Sequence, residues 1–385
     1  MCSAVATMGV MSSVLALGLV NCAMAQMPTG VPSTQNTLSS GEFAVHRLCV
    51  VFDASTGRAL KQVHSDEAGV TQWSSGPIES AFPFNELIPS WNLVVPNGAA
   101  YRIDLRVRTR GTGRWAGPYL FEDVGYSTSD PTRPRGTIED EYGKVNTDYL
   151  ICAQPCDAFE VRVATRAASV RRLAAVYSNT TGDRALWEKF GRQAAAGTAG
   201  PTRGLHEMQA RQSISHSRTR LDVPFMTQHV EDAAMLGNIC SPTSVAMVMA
   251  YRGVKRRPEE VARAAFDPVH RIYGNWPRNV QAAYSFGVPG YVTRFASMEE
   301  AEACIAAGQP IIASIRDPEG RLEGTPYKTT TGHLLVICGF DANGDVLVND
   351  PAGRTQDAGQ LTYKREQFEE AWLRNGGVAY ILEKP

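Results

Sequence analysis

The hydrophobic periodicity of the chain changes near residue 220, and this change limits the folds open to it. Before that point apolar and polar residues alternate, as in "AYRIDLRVRTRG" at 100–111. A period of two is typical of a strand with one buried and one solvated face. "FEVRVATR" at 159–166 repeats it, and "LCVVFD" at 48–53 indicates a buried strand. Because turn-forming residues separate these runs, we predict an antiparallel β-sandwich of the jelly-roll type over residues 41–180.

After residue 220, helix signals come first and strand signals second. Helices are predicted at "CSPTSVAMVMAYRG", "RPEEVARAAF", "WPRNVQAAYSFG" and "SMEEAEACIAAG". Ser241 is the expected N-cap of the first and Pro242 its first helical residue, while Ser297 and Glu300 have the spacing of a capping box in the last. Strands follow at "PIIASI", "GHLLVICGF", "VLVND" and "VAYIL". This order predicts an α+β domain over residues 221–385.

The remaining segments are predicted to be a leader and connections. Residues 1–25 lack charged side chains, have an apolar centre and end in Ala-Met-Ala, which indicates a secretory signal peptide. "LVNC" at 19–22 only weakly resembles a lipidation site at Cys22, because Asn21 is too large. Residues 26–40 are expected to be a flexible polar leader, and 181–220 a linker with a short helix at 183–191. No later stretch is apolar enough to span a bilayer, so we expect a secreted, soluble mature protein, periplasmic or extracellular.

Composition excludes several classes of partner and cofactor. The chain has 385 residues, 43% of them hydrophobic, which is enough for two or three globular domains. A formal net charge of -1 gives no electrostatic reason to bind nucleic acid. Six cysteines follow the leader, and Cys152 and Cys156 are close enough in sequence to close a small disulfide loop. Paired CxxC or HxxxH spacings are absent from the sequence, so we predict neither a metal site nor a cofactor.

Cys240 is the candidate for covalent chemistry. It directly precedes the predicted Ser-Pro start of a helix, where unpaired N–H groups and the helix dipole favour thiolate over thiol. The alternative is a small buried hydrophobe, which is what most free cysteines are. His333 opens a later strand and could supply the base that a cysteine nucleophile needs. Asp350 ends the hairpin partner of that strand and could orient the imidazole, with Asn349 as a rival, since only one of two adjacent strand residues can face it.

The stretches "VPFMTQ", "CSPTSVAMVMAYRG" and "GHLLVICGFDANGDVLVNDP" resemble the papain-like cysteine peptidase superfamily. More narrowly, they resemble bacterial peptidase-like domains related to bacteriocin-processing (double-glycine leader) peptidases. The resemblance covers about 221–385 and rests on four positions in the family's order. It implies that Cys240 is the nucleophile, His333 the general base, Asp350 its orienting group and Gln228 an oxyanion donor. The segment "HVEDAAMLGNI" between Gln228 and Cys240 is then expected to loop out.

Three functions are consistent with these residues. The first is an exported cysteine peptidase that cleaves peptides or proteins through a thioester acyl-enzyme. The second is a thiol amidase or acyltransferase acting on cell-wall peptide with the same side chains. The third is a non-catalytic binding protein that retains the fold. Catalysis is favoured because a nucleophile, a base, an orienting group and an oxyanion donor are all present.

Overall fold

Two antiparallel sheets contain all sixteen strands of the described part of the chain. The computed structural model describes residues 46–53, 56, 58–65, 67–126, 138–180 and 219–385. The predicted signal peptide, the leader and all of the predicted linker up to residue 218, with its helix at 183–191, lie outside these residues. Their structures therefore stay predictions.

The N-terminal sheet is built around two long strands. β4 pairs with β8 and β9, while β8 also pairs with β3, β5 and β7, and every pairing is antiparallel. The nine strands are β1 (His46–Phe52), β2 (Lys61–Val63), β3 (Thr71–Ser74), β4 (Ile78–Val94), β5 (Ala100–Thr109), β6 (Trp115–Val124), β7 (Gly143–Asn146), β8 (Tyr149–Arg166) and β9 (Ser169–Asn179).

The alternating sequence of β5 shows why this sheet forms. Ile103, Leu105 and Val107 are fully buried in its core, whereas Arg102 and Arg106 remain partly exposed on the other face. The predicted period of two is therefore observed in this strand. Cys152 and Cys156 are both buried as free thiols, so the structure contains no disulfide at that loop.

The C-terminal sheet carries the predicted strands of the second half. Its order is β11-β16-β12-β13-β14-β15, and β10 pairs with the end of β13. The strands are β10 (Thr219–Arg220), β11 (Gly290–Arg294), β12 (Ile311–Asp317), β13 (Thr330–Phe340), β14 (Val346–Asn349), β15 (Gln360–Tyr363) and β16 (Val378–Leu382).

Helices cover both faces of this second sheet. They are α1 (Cys240–Tyr251), α2 (Pro258–Ala265), α3 (Trp276–Ser285), α4 (Met298–Ala306), α5 (Gln356–Gly359) and α6 (Arg365–Trp372). Val336 of β13 packs in one core with Val245 of α1, while the next residue, Ile337, packs in a second core with Ile305 of α4. The sheet is thus buried on both sides, which explains the nearly unbroken apolar run of β13.

The order of elements differs from the expected helices followed by strands. β11 lies between α3 and α4, and α5 and α6 are inserted among the later strands. The predicted N-cap is also wrong. α1 begins at Cys240 with Ile239 as its N-cap, because the Ser241 hydroxyl is hydrogen-bonded to Tyr380 Oη at 2.9 Å instead. By contrast, Ser297 Oγ accepts from Glu300 N and caps α4 as predicted.

The described residues of both sheets belong to one compact unit. Within the described part of the chain, no helix is both long and apolar enough to traverse a lipid bilayer.

Candidate active site

Cys240 is the first residue of α1 and is partly exposed. Its sulfur is hydrogen-bonded to the His333 side chain and to the backbone N–H groups of Leu334 and Ser241. Burial disfavours the thiolate, but these hydrogen bonds and the positive charge of His333 outweigh it and lower the pKa of Cys240. The thiol is therefore placed for reaction, unlike Cys304 and Cys338, whose pKa values burial raises to about 12.

His333 lies near the start of β13 and links the thiol to a carboxylate. Its Nε2 is 2.7 Å from Asp350 Oδ1, which leaves Nδ1 as the ring nitrogen for Cys240. Burial opposes charging of the imidazole, but the negative charge of Asp350 and the hydrogen bonds to Asp350 and Cys240 raise the pKa of His333 to about 10. This arrangement stabilises a thiolate–imidazolium pair.

Asp350 follows β14 and is fully buried with four hydrogen-bond donors around it. Oδ1 accepts from His333 Nε2 and, at 2.9 Å, from Ala352 N. Oδ2 accepts from Tyr363 Oη at 2.8 Å and from Tyr327 Oη at 3.2 Å. Burial favours the neutral acid, yet the charge of His333 and these donors lower the pKa of Asp350, so the carboxylate is ionised.

The structure brings Asp350, and not Asn349, to the imidazole. Asn349 is also fully buried, but its Nδ2 donates to Val223 O at 2.8 Å and its Oδ1 accepts from Gln360 Nε2 at 3.2 Å. Its side chain therefore anchors the chain segment that leads to Gln228, which is a structural role.

Gln228 lies in the loop before α1 and is hydrogen-bonded to the segment that follows Asp350. Its backbone N–H donates to Pro351 O at 2.8 Å, one residue beyond Asp350. The side chain is buried, and among the described residues its Oε1 has no hydrogen-bond partner. The segment 229–239 contains no helix or strand and forms a turn at 233–238, with Met235 and Ile239 buried in a small cluster. The role of Gln228 as an oxyanion donor stays a prediction.

Two tyrosines of the site were missed by sequence reasoning. Tyr363 ends β15, and Tyr327 lies in the loop before β13 with its ring edge-on to the His333 ring, the centroids 4.9 Å apart. Burial and the nearby charge of Asp350 raise the pKa of both phenols, so both stay protonated and donate. Neither position belongs to a motif, so only the folded structure reveals the contact.

The serines beside Cys240 fix the helix. Ser244 Oγ donates to Leu334 O at 3.1 Å, directly after His333, while Ser241 is bonded to Tyr380 of β16. These bonds attach the first turn of α1 to two strands of the sheet. They fix the position of the helix turn that carries Cys240.

Two family models match separate parts of the chain. Residues 220–380 match the Peptidase_C39 like family, and residues 37–199 match the Peptidase C39 N-terminal domain. A comparison with curated proteins finds no match.

Solved structures with similarity to the chain have low sequence identity to it. A putative C39-like peptidase from Bacillus anthracis is 21% identical, with 44% of this chain and 98% of that chain covered and a TM-score of 0.35. A double glycine motif protease from the AMS/PCAT transporter, in complex with the leader peptide, is 21% identical, with 44% of this chain and 96% of that chain covered and a TM-score of 0.31. The peptidase domain of Streptococcus ComA, a bi-functional ABC transporter involved in quorum sensing, is 15% identical, with 38% of this chain and 93% of that chain covered and a TM-score of 0.28.

The family match over residues 220–380 identifies this part of the chain as a papain-like domain related to the C39 peptidases, which confirms the resemblance drawn from the sequence around Cys240, His333 and Asp350.

Proposed function

We propose that this protein is an exported cysteine peptidase that uses Cys240, His333 and Asp350 as a catalytic triad. The observation that carries the proposal is the continuous chain from the Cys240 sulfur through His333 to Asp350, with a 2.7 Å bond between the last two. A lone buried cysteine would need no such partners. A peptide substrate follows from the relation to peptidases.

The mechanism follows from the charges of these three side chains, a thiolate, an imidazolium and a carboxylate. The Cys240 thiolate attacks the carbonyl carbon of the substrate, and the oxyanion accepts hydrogen bonds from the Cys240 N–H and the Gln228 amide. The His333 imidazolium, held by Asp350, gives its Nδ1 proton to the leaving amine as the C–N bond breaks. Water then attacks the thioester and gives a proton to His333, and the C–S bond breaks to release the acid and restore the Cys240 thiolate.

The test combines thiol labelling with hydrolysis. Iodoacetamide labelling of the purified protein across pH, followed by mapping of the modified residue, should show preferential reaction at Cys240 below the ordinary thiol range. Fluorogenic peptides or casein should be hydrolysed by the wild type and not by Cys240→Ala. If only cell-wall peptide fragments are consumed, the enzyme is the amidase or acyltransferase. Ordinary slow labelling without hydrolysis would instead indicate the binding protein.

Two further parts of the proposal concern the first half of the chain. Export is supported by the uncharged apolar sequence of residues 1–25 and its Ala-Met-Ala end. A jelly-roll-like β-sandwich over 41–180, connected by a linker at 181–220 to the peptidase domain at 221–385, is supported by the antiparallel pairing of β1–β9 around one apolar core. Comparison of the mature N-terminus of the secreted protein with residue 26 tests export.

A further inference from the structure

Strand β4 is buried on both of its faces, although it belongs to the N-terminal sheet. Every residue from Leu87 to Leu93 is buried. The odd-numbered Leu87, Trp91 and Leu93 pack in the core of that sheet, whereas Ile88 packs in the core that contains α1 and α3. Residues 46–180 make up the β module, and residues 219–385 make up the peptidase module. One face of β4 thus packs in the core of the β module, and the opposite face packs in the core of the peptidase module.

The even-numbered residues of β4 supply hydrogen bonds that complete the peptidase sheet. β11 is the end strand in the order of that sheet, so alternate N–H groups point away from its partner β16. Ser90 Oγ accepts from Val292 N at 3.0 Å, and Asn92 Oδ1 accepts from Gly290 N at 3.1 Å. Both side chains are buried, so loss of the β module would leave these donors unpaired.

Helix α3 is attached to the β module at both its start and its middle. The side chain of Gln281 accepts from Leu93 N at 2.8 Å and donates to Leu93 O at 2.9 Å, as a neighbouring strand would. At the first residue of the helix, Trp276 N donates to Asp148 Oδ2 at 3.1 Å, and the Trp276 ring stacks on Tyr149 with centroids 5.9 Å apart. The helix is thereby fixed along its length.

Ion pairs surround this contact. They join an arginine of one module to a glutamate of the other, with at least one partner of each pair largely buried: Arg278–Glu122, Arg172–Glu383, Arg294–Glu86 and Arg47–Glu300. Removal of either module would take the partner away from each of these charges and expose the remaining charge to water.

From this interface we infer that the β module is a permanent part of the folded peptidase unit and remains bound after the connecting segment is cut. The contacts that join the modules lie on α3, α4, β11 and the end of β16, whereas the triad side chains come from α1, β13 and the residue after β14. A prodomain that blocks the site would instead cover those side chains. The β module therefore covers the otherwise open edge of the peptidase sheet.

The experiment is a cut in the full-length protein. A specific protease site inserted between residues 181 and 218 is cleaved, and the product is run on gel filtration at high salt and micromolar concentration. We expect the two pieces to elute together as one species, since apolar and hydrogen-bonded contacts persist when salt screens the ion pairs. Separation of the pieces, whether or not either stays soluble, overturns the inference. The readout does not depend on Cys240, so it is independent of the proposed activity.

A pair of matched variants tests whether this particular interface holds the pieces together. Gln281→Ala removes the two bonds to Leu93 and should raise the dissociation constant of the cut protein about tenfold or more, since each lost bond contributes. Gln367→Ala, which removes a bond from Glu323 N within the peptidase module, should leave the dissociation constant unchanged. Equal dissociation constants for both variants and the wild type would show that the inferred contact does not hold the modules together.

Discussion

Asp350→Asn separates the charge of the orienting group from its geometry. The asparagine Oδ1 can still accept from His333 Nε2 and Ala352 N, and its Nδ2 replaces the oxygen that now accepts from the two tyrosine hydroxyls. Those hydroxyls can rotate and accept from the amide instead. The variant should therefore fold and keep the imidazole in place while it removes the negative charge.

The magnitude follows from the effect of that charge on His333. Its pKa rises from 6.5 to about 10, which corresponds to roughly 5 kcal/mol in favour of the imidazolium. Two unit charges about 4 Å apart contribute about 4 kcal/mol at an effective dielectric constant near 20, so Asp350 supplies most of it. In the wild type, activity should fall on the alkaline side of the pH–activity profile near pH 10, as His333 loses its proton. In Asp350→Asn we expect this fall to occur about two to three pH units lower.

The same variant changes the thiol in the opposite direction. A weaker imidazolium stabilises the Cys240 thiolate less, so the pH at which iodoacetamide labelling accelerates should move up toward the ordinary thiol range, about 8.5. Asp345→Asn is the matched control, because this carboxylate of the same hairpin pairs with Lys364 instead of His333. A labelling profile in Asp350→Asn that coincides with wild type would refute the role assigned to Asp350.

The remaining predictions address the other residues of the site. Cys240→Ala should abolish turnover. Its free energy of unfolding, measured by heat or denaturant, should differ from that of the wild type by no more than about 1 kcal/mol. His333→Ala should lower kcat by about 10²–10⁴-fold, and Asp350→Ala by less, since Asp350 carries no transferred proton; the reverse order in steady-state assays would contradict the mechanism. Gln228→Ala should lower kcat by about 10²–10³-fold with an unchanged labelling profile, or Gln228 is not an oxyanion donor. Tyr327→Phe keeps the ring beside His333 and removes one bond to Asp350, so stability should fall by about 1 kcal/mol in denaturant titration and activity only a few-fold.

The order of the site residues was accessible from the sequence because each lies next to a strong local signal. Cys240 precedes Ser-Pro at a helix start, His333 follows a glycine at a strand start, and Asp350 ends a hairpin whose Asn-Gly turn fixes the pairing. The choice between Asp350 and Asn349 was open, because alternation says that only one can face the imidazole but not which one.

The N-cap of α1 and the partners of Asp350 could not be predicted for the same physical reason. Ser241 has the right chemistry for a cap, but its hydroxyl bonds Tyr380, which is 139 residues away in sequence. Tyr363 and Tyr327 reach Asp350 through the packing of β15 and a loop that carries no motif. Contacts of this kind depend on how elements pack, and local propensity contains no information about them.

The alternation of β4 has a consequence for how sequence change is tolerated. Ser90 and Asn92 occupy positions that would be free to vary if that face of the strand met water, yet they complete the backbone bonding of β11. A survey of substitutions scored by the folding of residues 219–385 should therefore find intolerant sites roughly two hundred residues upstream, at small polar side chains far from Cys240 in the sequence.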